Sequence, residues 1–164
     1  LQSSSRNQAR GFFNMALFEL GPVFNGGDPG NQQMNLSGVL IGQTTSKDVH
    51  GQDREVDVFD VKSHIENILS STGAPAKFQI LRGAESYWHP GRHGRICLGP
   101  KKTLGVFGEL HPKILSFFDL KGPIVGFTIL LDNIPLPRNS KTTRPPLRLR
   151  SLPVSYTHLR AHET

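Results

Sequence analysis

The stretch WHPGRHGRICLGPKKTLGVFGELHP, residues 88–112, contains two strand-like runs, RICL and TLGVFGEL, on either side of Gly99-Pro100-Lys101-Lys102. Apolar runs separated by a short Gly-Pro turn predict a β-hairpin. Pro112 suits the first position of a helix, so PKILSFF predicts a short helix directly after the hairpin. A hairpin of this length needs further strands to bury an apolar face.

The flanking sequence supplies those strands. Residues 11–24, GFFNMALFELGPVF, are apolar at odd and even positions, which predicts a strand buried on both faces. After a loop with Gly and Asp-Pro, MNLSGVLIG predicts an antiparallel partner. KFQIL and IVGFTILLD predict two more strands.

One amphipathic helix is predicted in VDVFDVKSHIENILSSTG. Its apolar residues fall at helical spacing on one face: Val58, Val61, Ile65, Ile68 and Leu69. Asp57 or Asp60 can cap its start, and Gly73 can take the left-handed conformation after its end. Phe59 projects from the opposite side, either in an irregular first turn or as an anchor against another element. The chain therefore predicts an α+β fold, a mostly antiparallel sheet with flanking helices.

Composition limits the class of protein. The chain has 164 residues and 36% hydrophobic content, enough for one ordinary core. No apolar run approaches the roughly 18 residues of a membrane-spanning helix, so no membrane partner is expected. No secretory signal is visible at the start, and Cys97 has no second cysteine to pair with. We expect a reducing, cytoplasmic location.

Positive charge is concentrated at the end of the chain. Residues 136–164 contain six Lys/Arg and one acid, so they carry +5 of the formal net charge of +6. The segment NIPLPRNSKTTRPPLRLRSLP is proline-rich, which favours an extended linker. Such a tail either contacts nucleic-acid phosphates or is a solvated linker.

The histidines of the hairpin do not predict a metal site. His89 and His93 have the i, i+4 spacing of helical metal ligands, but Pro90, Gly91 and Gly94 exclude a helix there. No cysteine pair or acidic neighbour completes a ligand set. We therefore expect a loop whose polar side chains cap the backbone or face solvent.

Other candidates for chemistry have structural explanations as well. Cys97 alternates with apolar residues in a strand, where a buried, inert thiol is usual. The Gly105-Val106-Phe107-Gly108 run lacks the Lys-Ser/Thr ending of a phosphate-binding loop, so packing or bulge glycines are expected. His111 stands at a helix entrance. From composition and spacing, no catalytic, cofactor-binding or metal residue is predicted.

Several stretches taken together are more specific. They are RGFFNMALFELGPVF, LSGVLIG, VDVFDVKSHIENIL, HPGRHGRICL, LGVFGELHP and FTILLDNIPLP. In this order, over residues 6–138, they resemble the β subunit of bacterial phenylalanyl-tRNA synthetases. The resemblance implies a class II aminoacyl-tRNA synthetase-like core without its own aminoacylation centre. It also implies an (αβ)₂ complex in which the α subunit uses ATP and Mg²⁺ to join phenylalanine to tRNA(Phe).

The resemblance suggests why this core should be inactive. A working class II core carries Phe-Arg-x-Glu on one strand, and the Arg contacts the ATP α-phosphate. The comparable Ala16-Leu17-Phe18-Glu19 has Leu17 at that place. A second arginine contacts the nucleotide at the start of a helix, where this chain has His111. Leu and His lack the guanidinium fork that binds phosphate bidentately. No cofactor is therefore expected in this chain.

The resemblance also divides the chain. Residues 1–135 are expected to form the non-catalytic core, and residues 136–154 a linker toward an anticodon-binding domain that the sequence does not contain. The ending SYTHLRAHET, residues 155–164, resembles translated vector sequence. His89-Pro90-Gly91-Arg92 resembles the family's turn into a strand, and His93 replaces a small residue. Trp is missing before the amphipathic helix, and Ser63 replaces a common Gly.

We expect the interface and framework residues to pack against the α subunit or support that surface, within a complex that also includes a second β subunit and tRNA(Phe). They are Phe18, Glu19, Phe59, Asp60, Lys62, His89, Arg92, Glu109 and His111. Local capping, core packing or a solvated charge is the alternative for each. Two alternative functions are also considered. One is a stand-alone nucleic-acid-binding module that uses the basic tail, and the other is a small ATP-dependent ligase.

Overall fold

The computed structural model describes residues 1–27, 30–44, 54–74, 77–83 and 85–135. Within them, six strands form one sheet in the order β1-β2-β6-β5-β4-β3, and every neighbouring pair is antiparallel. The strands are β1 Met15–Phe24, β2 Gln32–Ile41, β3 Gln79–Leu81, β4 Trp88–Leu98, β5 Lys102–Leu110 and β6 Ile124–Leu130. The helices are α1 Gln2–Ala9, α2 Val58–Ser71 and α3 Pro112–Phe117, and a 3-10 turn, Leu131–Asn133, follows β6. The predicted α+β fold with its antiparallel sheet is confirmed.

The core is divided between the two faces of the sheet. On one face, called the α2 face, Val61, Ile65 and Leu69 of α2 pack against apolar residues of β4, β5 and β6. The opposite face carries a smaller cluster that includes Trp88 and Ile124, with Leu1, the N-cap of α1, and Leu115 of α3 at its border. Because strand side chains alternate between faces, the four strands β2, β4, β5 and β6 contribute to both clusters.

Helix α2 begins and ends where the sequence predicts. Asp57 is the N-cap, and its Oδ1 accepts hydrogen bonds from the N–H groups of Phe59 and Asp60 at 2.7 and 3.1 Å. The Asp60 carboxylate accepts in return from the Asp57 N–H at 2.8 Å, so both aspartates take part in a reciprocal capping box. Gly73 has φ 74° and takes the left-handed position after the helix.

Removal of this cap gives a first prediction. Asp57→Ala is expected to lower the free energy of unfolding by about 1 kcal/mol, because two N–H groups of the first turn lose their acceptor. Urea unfolding monitored by circular dichroism measures the change. Asp57→Asn, which keeps an acceptor oxygen, should retain most of the stability; an equal loss in both variants would contradict the assignment of the cap.

The hairpin is longer than the sequence indicated. Residues 89–92 lie within β4 and do not form a turn before it, which corrects the prediction for His89-Pro90-Gly91-Arg92. The pairing of β4 with β5 shifts register between Trp88 and His93, and this irregularity accommodates Pro90 inside a strand. At Gly108 a Cβ atom would lie 2.7 Å from the Arg92 carbonyl oxygen, so the glycine is required by close packing, as predicted.

Strand β1 contradicts its prediction most clearly. It lies at the edge of the sheet, and most of its residues are exposed, so it is not buried on both faces. An apolar run indicates that the strand is suited to burial. It does not show whether the strand is buried within its own domain or against another polypeptide. The strand also begins at Met15 and not at residue 11.

Helix α1 has no counterpart among the predicted elements, because LQSSSRNQA carries no apolar stripe. It docks through amide chemistry instead: Gln8 Nε2 donates to the Lys121 carbonyl oxygen, and Gln8 Oε1 accepts from the Lys121 N–H, both at 2.9 Å. The buried Ser4 lies on the same helix. In the described part of the chain, no helix has the length and apolarity needed to cross a membrane.

Candidate functional site

The residues predicted for an interface occupy three separate places: the edge strand β1, the first turns of α2, and the end of the β4–β5 hairpin with α3. The hairpin lies at least three strands from β1, roughly 14 Å at the usual strand spacing. The structure therefore does not gather these side chains into one catalytic constellation. The residues of β1 belong to an exposed surface, whereas those at the start of α2 and those of the hairpin and α3 make mostly local contacts.

At the start of α2, the contacts are internal to the domain. Arg54 forms a two-pronged ion pair with Asp60, with Nη1–Oδ2 and Nη2–Oδ1 distances of 2.8 and 2.5 Å. Lys62 lies 3.5 Å from Glu66 in an exposed i, i+4 pair. Phe59 projects away from the core and is 75% exposed. Asp60 thus has a capping role, whereas Phe59 remains open to a partner.

The bond from the Arg54 guanidinium is the main reason that the pKa of Asp60 is held below its ordinary value, and the Asp57 N–H bond acts in the same direction. The folded protein therefore binds a proton at Asp60 less readily than the unfolded chain does. The resulting stabilisation is fully present above the unfolded pKa, roughly 4, and is lost as pH falls through the folded pKa.

Arg54→Gln should reduce this pH dependence. We expect wild type to exceed the variant in stability most clearly above about pH 4, with the difference shrinking at lower pH as Asp60 becomes protonated in both. Urea unfolding between about pH 2 and pH 7 tests this. Lys113→Gln, which removes one positive charge on α3, provides the control. A wild-type advantage that grew on acidification would contradict the sign of the coupling.

The predicted residues of the hairpin pair with one another. Arg92 Nη1 lies 2.7 Å from Glu109 Oε2, joining β4 to β5. His89 Nδ1 accepts from the Gly91 N–H at 3.2 Å. This pattern fits a framework role, in which the side chains satisfy each other and the backbone of the irregular segment.

His93 is held by backbone groups on both sides of its ring. Its Nδ1 lies 2.7 Å from the His89 carbonyl oxygen, and its Nε2 accepts from the Gly83 N–H at 3.3 Å. A neutral ring with its proton on Nδ1 satisfies both bonds, so neither nitrogen is left for a metal. In the ranges that the structure describes, no group of three or more His, Cys, Asp or Glu side chains could hold a metal ion.

His111 and Cys97 also occupy structural positions. His111 is the N-cap of α3, and its Nδ1 accepts from the Lys113 N–H at 3.1 Å. Cys97 is buried in β4 with only 1% exposure, as predicted for an inert thiol. Within the described ranges, the Cys97 thiol contacts the Thr103 hydroxyl at 3.8 Å and the His111 ring contacts a backbone N–H, and neither forms a nucleophile–base pair.

The surface of β1 is the feature that local contacts do not explain. Its large apolar side chains are exposed, with Phe18 at 79%, Leu20 at 59% and Phe24 at 65%. Phe12 and Phe13, just before the strand, are exposed as well. We call these five residues the β1 surface. A group of exposed large apolar side chains on and just before one edge strand is a candidate docking surface for another polypeptide.

The free edge of β1 carries a feature that limits unwanted strand pairing. The Met34 N–H donates to Asp132 Oδ2 at 2.7 Å on the β6 side of β2. Met34 lies directly opposite Pro22, and its N–H points away from β1, so the two residues form a pair without hydrogen bonds between them. The nitrogen of Pro22 therefore points to the free edge of the sheet. Its missing N–H removes no hydrogen bond between β1 and β2. Contact with a partner is therefore expected through side chains more than through an added strand.

Leu17 and His111 stand where the resemblance implies the two nucleotide-contacting arginines. Leu17 faces the side of the sheet opposite α2 and lines a small depression of about 230 Å³ with Leu1, Ser3 and Glu19. His111 caps α3 with its ring nitrogen. Leu17 is apolar and shares its depression with Glu19, and the His111 ring nitrogen is engaged with backbone, so neither of these two residues supplies the guanidinium that pairs with phosphate.

A cavity on the face opposite α2 was not anticipated from the sequence. It has a volume of about 690 Å³, and Arg95, Asn35, Glu85 and Tyr87 are among its lining residues. These residues come from β2, β4 and the segment before β4, so no short sequence motif predicts that they line one cavity. Partial burial raises the pKa of the Tyr87 phenol above its ordinary value.

A solved structure shares the fold of the described domain. The chain is similar to Desulfitobacterium hafniense PylSc, a pyrrolysyl tRNA synthetase, with a TM-score of 0.55 and 14% sequence identity over 79% of this chain and 44% of that one. At this identity the likeness concerns the fold alone.

Sequence comparisons are more specific. The chain is 59% identical to the phenylalanine–tRNA ligase beta subunit of Ruegeria pomeroyi and 53% identical to that of Cereibacter sphaeroides. Each match covers 93% of this chain and 19% of the relative, so the chain spans about a fifth of the length of these proteins. Residues 1–131 match the model of the phenylalanyl tRNA synthetase beta chain CLM domain. The chain belongs to the phenylalanyl-tRNA synthetase beta chain family, within which residues 1–131 correspond to the CLM domain.

Proposed function

We propose that residues 1–135 form a non-catalytic, class II-like core of a phenylalanine–tRNA ligase β subunit. The core packs on a catalytic α subunit in an (αβ)₂ complex. That complex joins phenylalanine to tRNA(Phe) in the cytoplasm, using ATP and Mg²⁺ bound outside this chain. Family membership supports the assembly, since a beta subunit works with an alpha subunit.

The observation that carries the packing role is the β1 surface. Phe18 is 79% exposed on an edge strand, although the sheet buries comparable side chains such as Phe107 and Phe127 in its interior. Full burial of one such side chain contributes about 1.5–3 kcal/mol, so several together supply a strong driving force for association. Exposed Phe59 of α2 is a further candidate contact.

The non-catalytic role rests on the two places where phosphate contacts would be needed. Leu17 lies where the resemblance implies one arginine, and His111 lies where it implies the other. Neither offers a guanidinium, and His111 is used as a helix cap. The remaining parts of the proposal, a linker at residues 136–154 and a non-native ending at residues 155–164, concern segments outside the described residues.

Two measurements test the proposal. The chain, co-expressed with the α subunit of the Ruegeria pomeroyi enzyme, should co-purify with it as a stable complex. The chain by itself should show no ATP–pyrophosphate exchange with phenylalanine. Exchange by the chain that His111→Ala abolishes would instead establish the small-ligase function, and failure to co-purify would contradict the packing role.

The basic tail is the reason to test a second function, nucleic-acid binding. With +5 of the formal net charge in residues 136–164, the tail should bind RNA in a salt-dependent way if it contacts phosphates. Deletion of residues 136–164 should then abolish binding. RNA binding that survives the deletion would place the contact on the folded domain instead.

A further inference from the structure

The turn of the β4–β5 hairpin carries an exposed positive cluster that the proposed packing role does not use. Lys101 and Lys102 lie at this turn, and both side chains are exposed. Gln79 pairs with Cys97 near the same end of β4, so Lys77, which is exposed and comes two residues before Gln79, lies beside the turn. We call Lys77, Lys101 and Lys102 the hairpin lysines.

The charge of the hairpin lysines is not neutralised by an ion pair within the described ranges. The ion pairs found there all join other side chains. Asp132 lies in the 3-10 turn that follows β6, but its Oδ2 accepts from the Met34 N–H on β2 at 2.7 Å. Cations that cluster at a surface create a positive potential, which attracts an anionic partner.

The basic tail, residues 136–164, leaves the described domain beside this cluster. Asn133 Nδ2 donates to the carbonyl oxygen of Thr103 at 2.7 Å, and Thr103 directly follows Lys102. The tail begins three residues after Asn133, so its first residue lies within about 11 Å of it. The +5 charge of the tail is therefore attached next to the hairpin lysines.

The chemistry of this region favours a nucleic acid over a membrane as the partner. A site on a membrane surface usually combines cations with apolar side chains that enter the lipid. The exposed large apolar side chains of the described residues all lie outside the hairpin turn. Several lysines and arginines in succession match a polyanion whose charges repeat at short intervals, as nucleic-acid phosphates do.

We propose that the hairpin lysines contact the phosphate backbone of RNA, on one surface that is continuous with the basic tail. The contacts are electrostatic and independent of base sequence, since a lysine ammonium acts as a point charge toward phosphate. The proposal extends the second function considered above, RNA binding by the tail. It does not rest on packing with the α subunit.

Fluorescence anisotropy with a short labelled RNA duplex tests the contact. Binding by the 164-residue chain is measured between about 50 and 200 mM salt, where each phosphate contact adds roughly 0.9 to the slope of log K against log salt concentration. For the double variant Lys101→Gln/Lys102→Gln, we expect the slope to decrease in magnitude by about 2. The affinity at the lowest salt concentration should fall at least about tenfold.

The double variant Lys113→Gln/Lys121→Gln is the matched control, because it removes the same net charge from two other exposed lysines. Lys113 follows the far end of β5, and the two ends of this strand lie roughly 26 Å apart. The control should leave the slope unchanged. An equal decrease in both variants would show an effect of net charge alone and would overturn the proposal.

Deletion of residues 136–164 separates the tail from the hairpin lysines. If the deletion abolished RNA binding and Lys101→Gln/Lys102→Gln left it unchanged, the tail would bind RNA without the hairpin, and only the present proposal would be wrong. If the complete chain bound no RNA, both the hairpin contact and the tail function would be excluded.

Discussion

Ile65→Ala is expected to lower the free energy of unfolding by about 2–5 kcal/mol. Ile65 lies in the middle of α2, has 0% exposure and belongs to the core cluster of the α2 face. The substitution removes three side-chain carbons from a packed interior, and the neighbouring strand residues can relax only partly into the space. Total stabilities of domains are about 5–15 kcal/mol, so this single change is a large fraction.

Urea unfolding followed by Trp88 fluorescence measures the effect, because Trp88 is buried with 4% exposure and reports on the opposite face of the same sheet. Phe59→Ala on the same helix is the matched control. Phe59 is 75% exposed, so its truncation should change stability by no more than about 0.5 kcal/mol. If Phe59→Ala were as costly as Ile65→Ala, the packing face assigned to α2 would be wrong.

The second large effect concerns assembly. Phe18→Asp is expected to reduce association with the α subunit at least about tenfold, because a carboxylate would replace an apolar contact and lose its hydration on binding. The stability of the isolated chain should change little, since Phe18 is 79% exposed there. Affinity measured by surface plasmon resonance, with unfolding measured in parallel, separates the two effects.

Phe117→Asp supplies a control of the same chemistry. Phe117 is 81% exposed, but it lies on α3 and is not part of the β1 surface. It should leave the affinity for the α subunit unchanged. A loss of affinity with Phe117→Asp and none with Phe18→Asp would move the contact from β1 to the α3 side of the domain.

Elements with a periodic local signal were correctly predicted. Helix α2 follows from its apolar spacing together with Asp57, Asp60 and Gly73 at its ends. Pro112 correctly predicted the start of α3. These signals are local, because backbone capping and side-chain periodicity depend on residues within one or two turns of each other.

Elements without such a signal were missed or misread. Helix α1 has no apolar stripe, and its docking depends on Lys121, 113 residues away from Gln8. The segment at Pro90 looks like a turn, but pairing with β5 extends β4 through it. The cavity lined by Arg95 and Glu85 combines side chains from several strands, and its members cannot be identified until the strand order is known.

By itself, the sequence determined the family, the antiparallel α+β fold, the limits of α2 and the buried state of Cys97, because repeated local patterns and ordered motifs encode them. Only the tertiary structure decided that β1 is an exposed edge, that Arg92 and Glu109 satisfy each other, and that Arg95 and Glu85 share a cavity without touching. Those properties depend on which strands become neighbours. That order results from packing between residues far apart in the chain.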